Sequence, residues 1–162
     1  MANFKRYFEE AAAYSVTTVT KERKPLFVDR KLCRILLVNI EYHKTIFDYM
    51  VLGYCLMPDH LHLILRPGNR FNLSYVMQMI KGGFARKVNK LNETHGSIWQ
   101  RRYYDQVVRN ENQLINYLDY IHYNPVAAGL VSEPSEYLFS SFAQYHNLQD
   151  SERSVLAIDR FK

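Results

Sequence analysis

Between Phe47 and Arg66 the chain reads FDYMVLGYCLMPDHLHLILR, two apolar runs parted by Pro58 and Asp59. Proline fixes φ and aspartate tolerates a tight bend, so Phe47–Met57 and His60–Arg66 are expected to form the two strands of a hairpin. Side chains alternate across a strand, which sends Leu61, Leu63 and Leu65 to one face and His60 and His62 to the other. The leucines then have to meet helices, and the two imidazoles are expected on an open face at the mouth of the hairpin.

Upstream, AYSVTTVT is rich in β-branched residues and alternates, which predicts a strand over Tyr14–Thr20. Asp29 is placed to cap a helix whose Leu32, Ile35, Leu36 and Ile40 share one face and which should end near His43. Downstream, Asn72 opens a second helix, LSYVMQMIKGGFARKVNKLN, in which Gly82 and Gly83 predict a bend. WQRRYYDQVVR, Trp99–Arg109, reads as a fourth strand, and Asn110 with Gln113 resembles a capping box opening a third helix, ENQLINYLDYIHYN.

The order is β-α-β-β-α-β with one helix added. It predicts an α+β fold: a ferredoxin-like sheet with helices on one face, an additional C-terminal helix rich in tyrosine, and an irregular tail. At 162 residues the chain is read as one domain, with a core over about 14–130 and a flank over 131–162.

Twenty-one Lys and Arg against sixteen Asp and Glu leave a formal charge of +5, which favours a polyanionic partner. No apolar run approaches the ~20 residues that cross a bilayer, so no membrane partner is expected. Glu9 and Glu10 interrupt the place where a secretory signal would be apolar. Cys33 and Cys55 sit in apolar runs without CxxC spacing, as buried thiols of a reducing, cytoplasmic compartment do.

Two histidines on one strand face are most simply the polar side of an amphipathic sheet, and a metal site needs more than two ligands. A third donor and a nucleophile would come from a tyrosine with a carboxamide one helical turn later, since i and i+4 share a face. Of thirteen tyrosines, Tyr120 with Asn124 and Tyr145 with Gln149 qualify; the first lies in the well-capped third helix and is preferred. Asn124 precedes Pro125, and a residue before proline is pushed out of the α region, so Asn124 is alternatively the cap of a short turn that Pro125 begins. Tyr117 is the rival nucleophile by location, but its i+4 residue is Ile121. His122 is read as structural. Arg101 and Arg102, beside Tyr103 and Tyr104, are candidate DNA-binding residues because cation and ring together grip single strands. Lys81 is a further candidate.

The ordered combination of LMPDHLHLIL, WQRRYYD and DYIHYNPVAAGLV resembles the REP-associated tyrosine transposases, a branch of the single-tyrosine HUH transposases, over nearly the whole chain. The resemblance implies a divalent metal (Mg²⁺ or Mn²⁺) held by His60, His62 and, by position, Asn124, with Tyr120 as nucleophile. Many insertion-sequence relatives carry glutamine at the last position, where this chain has asparagine. It further implies action on single-stranded or hairpin DNA, at repetitive extragenic palindromes of a bacterial nucleoid, through a 5′-phosphotyrosine intermediate.

A tyrosyl phosphodiester keeps the bond energy of the one it replaces, so no nucleoside triphosphate is needed, and no GxxxxGK[ST] loop is present. A monomer is preferred over a homodimer. Two other classes remain open: a non-catalytic hairpin-binding module on the same fold, and an unrelated small metallohydrolase.

Overall fold

In a computed structural model, which describes residues 12–148 and 155–159, the hairpin forms as β2 (Tyr49–Met57) and β3 (His60–Pro67). The N-terminal strand is β1 (Ala13–Val19), and the fourth is β4 (Tyr104–Val108). They make one antiparallel sheet in the order β2-β3-β1-β4, the ferredoxin-like arrangement. Glu9, Glu10 and Gln149 lie outside the described residues.

Helices α1 (Arg30–Ile46) and α2 (Leu73–Asn92) cover one face. Their caps are those expected: the Asp29 carboxylate accepts from Lys31 N at 2.8 Å, and Asn72 Oδ1 accepts from Tyr75 N at 2.9 Å. Leu61, Leu63 and Leu65 of β3 pack with Leu36, Ile40, Ile80 and Phe84 in the larger core. Each such fully buried side chain contributes about 1.5–3 kcal/mol. No break marks Gly82 and Gly83, and α2 runs through both. Gly83 is held there by packing, since an added Cβ would press on the Asn39 carboxamide of α1 at 3.0 Å.

Helix α3 (Glu111–Ala127) corrects the picture of an open second face. Leu114, Leu118 and Ile121 recur along one side of it and close a second core with Leu52, Cys55, Met57 and Ile64. Gly53, at a bulge in β2, permits this approach, because a Cβ there would overlap the Leu118 side chain. Its N-terminus is capped by Asn110 Oδ1, which accepts from Gln113 N at 2.9 Å, while Gln113 Oε1 accepts from Arg109 N at 2.8 Å.

The fourth strand is shorter than expected. Trp99 is buried against Phe27 and Phe84 and donates its indole N–H to Lys81 O, and the Lys81 ammonium takes Gln100 O. Trp99 still bridges Thr20, with Gln100 N donating to Val19 O at 2.8 Å, but residues 101–103 leave the pairing, so the continuous ladder with β1 begins at Tyr104. Small shifts occur elsewhere: β2 starts at Tyr49, and α1 reaches Ile46.

The tail is irregular apart from a short helix, α4 (Phe142–Tyr145), yet it seals the outer edge of β2. Tyr54 O accepts from Ser141 N at 2.9 Å, and Leu56 N donates to Phe139 O at 2.8 Å. Tyr54 N donates to Ser141 Oγ at 2.9 Å, and the Tyr137 hydroxyl takes Leu56 O at 2.6 Å. Asp159 N donates to Val51 O, and its carboxylate accepts from Val51 N. The two cysteines are unbridged and fully buried.

Candidate active site

Register places His60 opposite Val19 and His62 opposite Thr17, with Met57 and Cys55 on the other side. The two rings stand edge to face, and their Nε2 atoms are 3.1 Å apart. Each Nδ1 is engaged from behind: His60 with Asp59 Oδ1 at 2.6 Å, His62 with Thr17 Oγ1 at 2.9 Å. Burial alone would raise the Asp59 carboxyl. Hydrogen bonds from His60 and from Arg23, whose guanidinium lies 3.1 Å away, outweigh it and leave Asp59 below its ordinary value. The carboxylate therefore accepts from His60 Nδ1–H, which leaves His60 Nε2 facing His62.

His62 is only 6% exposed. Burial first, and the neighbouring His60 second, push it down to about 4, against a hydrogen bond with Asn124 that works the other way. It is neutral throughout the physiological range, the form that binds metal.

Tyr120 and Asn124 lie one turn apart on α3 and both face His62. The Tyr120 ring stands edge-on to His62 with centroids 5.7 Å apart, and the phenol is 61% exposed. Asn124 reaches the imidazole itself. The expected conflict with Pro125 does not break the helix: Ala128 N still donates to Asn124 O and Leu130 N to Pro125 O, both at 2.9 Å. Pro125 falls in the last turn, where its missing N–H forfeits a single bond, and its own burial against the sheet side holds the turn in place.

Two imidazole nitrogens and one carboxamide oxygen thus converge beside an exposed phenol. Among the described residues no group of three His, Cys, Asp or Glu side chains could hold a metal, so a third donor beside the two imidazoles would have to be of another kind, such as the Asn124 amide. The set fits a divalent cation: two nitrogens bound at about 2.1 Å with a right angle between them stand about 3.0 Å apart. Both Nδ1 atoms are already held, as in metal-bound histidines oriented by outer partners.

From this point a groove of about 550 Å³ runs over the half of the sheet that α3 leaves bare, past Ser15, Gln106 and Asn116 to Tyr104. Tyr104 is 72% exposed. Tyr117 donates its hydroxyl to Gln106 Oε1 at 2.5 Å and so is engaged with β4 rather than aimed at the histidines. Tyr145 gives its hydroxyl to Leu52 O in the edge seal. His122 is buried and shares a hydrogen bond with Ser141 Oγ at 2.8 Å.

Lys81 and Arg101 line a different cleft, of about 360 Å³, between α2 and residues 97–103, and Arg102 is exposed ahead of β4. Burial lowers the Lys81 ammonium from its ordinary value. Thr17, Asp59 and Arg23 escaped the reading from sequence. Asp59 adjoins the histidine pair and carried a signal there; Thr17 is found only through strand register.

The family model described as "Transposase IS200 like" matches residues 9–124. A Haemophilus influenzae protein assigned as a REP-associated tyrosine transposase is 29% identical over 154 residues, covering 88% of this chain and 86% of that protein. The REP-associated tyrosine transposase of Escherichia coli K12 is 24% identical over 162 residues, covering 98% of this chain and 90% of that one. A REP-associated tyrosine transposase solved bound to a REP hairpin superposes with a TM-score of 0.71 at 20% identity, over 100% of this chain and 94% of that one.

Proposed function

The chain belongs to the IS200-like transposase family, enzymes of transposase kind, and on that premise we propose that it cleaves and rejoins single-stranded DNA beside a hairpin through Tyr120. The observation that carries this reading is the meeting of His60, His62, Asn124 and the exposed Tyr120 phenol at the end of one groove.

A divalent cation held by His60, His62 and Asn124 would polarise the scissile phosphate as a Lewis acid. The chain's own residues do the rest. Asp59 and Thr17 fix the ring orientations, and Asn124 aligns against His62 from α3. The Tyr120 oxygen forms the new bond to phosphorus as the bond to the 3′-oxygen breaks; the phenolic proton passes to solvent, and the departing 3′-oxygen takes a proton from solvent. The product is a 5′-phosphotyrosine and a free 3′-hydroxyl. Attack by a 3′-hydroxyl on that linkage restores a phosphodiester and releases the phenol, so rejoining needs no energy source.

A solved relative holds a REP hairpin, which makes a palindromic hairpin the first substrate to try. Tyr120 reaches the histidines of its own chain, and the β2 edge is sealed by its own tail, which supports a site complete in a monomer. No described helix is long and apolar enough to cross a membrane.

The test is to incubate the protein with Mn²⁺ and a labelled hairpin oligonucleotide carrying a single-stranded flank, and to resolve products on a denaturing gel. A protein-linked band that Tyr120→Phe abolishes, with binding retained, is expected. An undiminished band in that variant refutes the assignment of the nucleophile. Binding without any band, for wild-type protein and varied hairpins, favours a non-catalytic hairpin-binding module.

A further inference from the structure

Among the described residues no lysine or arginine lines the groove beside Tyr120, and Asp105 does. A polyanion held there gains little from the field of the groove itself, although the chain as a whole carries +5. Most of the affinity of proteins for DNA comes from cations placed against phosphates. Those cations have to stand elsewhere.

On the helical side of the sheet, Arg30, Lys31 and Arg34 of α1 face Lys87 of α2 across a cleft of about 500 Å³. Its floor is Ile35 and Val38, and no acidic residue among those described lines it. Asp29, the residue before Arg30, is occupied in capping α1. Lys31 and Lys87 are exposed and form no ion pair among the described residues. The field is felt at a distance: Lys87 and Arg86, after burial, lower His43 from its ordinary value.

The start of α1, which lines the cleft, is also tied to the active site. The segment entering α1 is stitched to the hairpin turn that carries His60, with Phe27 N donating to Pro58 O at 3.0 Å and Thr20 N to Asp59 O at 2.9 Å. Lys21, Arg23 and Lys24 lie exposed on that segment, in sequence between β1 and Arg30, Arg23 paired with Asp59 at 3.1 Å and Lys24 with Glu22 at 3.8 Å. Cationic rims with an apolar floor suit a sugar-phosphate backbone, whose phosphates face the rims and whose deoxyriboses face the floor.

We propose that the α1–α2 cleft binds the sugar-phosphate backbone of DNA flanking the scissile phosphate, led there around the end of the sheet along residues 21–24. The proposal rests on the DNA-cleaving reading above but concerns a separate surface. It places sequence-independent grip on the helical side and chemistry on the other.

The experiment compares Lys31→Glu/Lys87→Glu with a control of equal charge change, Arg70→Glu/Arg109→Glu, at exposed positions away from both cleft and groove. Binding of a labelled hairpin oligonucleotide with a single-stranded flank is measured by anisotropy across a salt series. Loss of two phosphate contacts flattens the slope of log K against log salt by roughly 1.4–1.8. The cleft pair is expected to show that loss and the control pair much less, while adduct formation at saturating DNA stays within about twofold of wild type.

Equal slopes for the two pairs overturn the proposal, as a cleft built for an acidic protein partner would give. If the double reversal melts the fold, Lys31→Gln/Lys87→Gln takes its place with the same comparison. Slopes that separate while wild-type protein forms no adduct sink the cleavage reading alone. An adduct with slopes that do not separate sinks this one alone.

Discussion

Thr17→Val removes one hydroxyl and nothing else: valine keeps the volume, the branching at Cβ and the strand preference. In the native site the Thr17 hydroxyl lies 2.9 Å from His62 Nδ1, inside a region where His62 is 6% exposed. Water has little access, so the orphaned nitrogen costs about 1–3 kcal/mol. Freed of its partner, the imidazole also loses the fixed tautomer and ring angle that aim Nε2 at His60. Outer partners of this kind are worth about 10–100-fold in metal affinity, or roughly 1.4–2.7 kcal/mol.

Two independent routes thus give the same magnitude. Mn²⁺ affinity is to be measured calorimetrically, and stability by urea unfolding without metal. Weakening of Mn²⁺ binding by at least about tenfold, rescued by Thr17→Ser, is expected. A variant that loses stability but binds Mn²⁺ within about twofold of wild type would refute the positioning role and leave Thr17 a packing residue.

Burial, with His146 second, pushes His122 down to about 4, below the ~6.5 of the unfolded chain. The unfolded state therefore binds the extra proton first: stability is flat above about pH 6.5 and falls by up to about 3 kcal/mol toward pH 4. In EDTA, His122→Gln should remove about half of the total acid limb, because His62, pushed equally low, supplies a like share; an unchanged limb contradicts it. Burial, then the charge of Asp29, pushes Cys33 up to about 12, and burial raises Cys55 further. Neither thiol should react with a disulfide reagent at mildly alkaline pH until denaturant is added, and fast native labelling would show that the core opens. Gly53→Val should strain the contact with Leu118 by about 1–3 kcal/mol and displace α3. Adduct formation is then expected to fall more than DNA binding does, and equal losses would mean that Tyr120 had not moved.

The βαββαβ order of elements and the three capped helices were legible because each rests on a local signal: alternation in HLHLIL, Asp29, Asn72 and the Asn110–Gln113 box. The pairing of Tyr120 with Asn124 was legible for the same reason, as helical spacing is a local property. What failed was local evidence overruled by packing. Pro125 argued against a helical Asn124, yet the turn is held by its burial; Gly82 and Gly83 argued for a bend, yet Gly83 is there to let α1 approach. WQRRYYDQVV looks extended throughout, but with the indole packed against Phe27 and Phe84 only Trp99 and Gln100 stay bonded to the end of β1, and residues 101–103 leave the ladder ahead of Tyr104. Neither the side of the sheet that α3 covers nor the Thr17–His62 contact follows from any single segment, because both depend on which strands are neighbours.

The seal on β2 has a consequence for synthesis on the ribosome. Tyr54 and Ser141 are 87 residues apart. At about 5–20 residues per second, roughly 4–17 s pass between the making of the strand and of the segment that covers it. Throughout that interval a hairpin carrying VLGYCLM presents an unclaimed row of amides and carbonyls to neighbouring nascent chains. Slowing elongation should therefore lower the soluble yield of the protein, and speeding translation of the later codons should raise it.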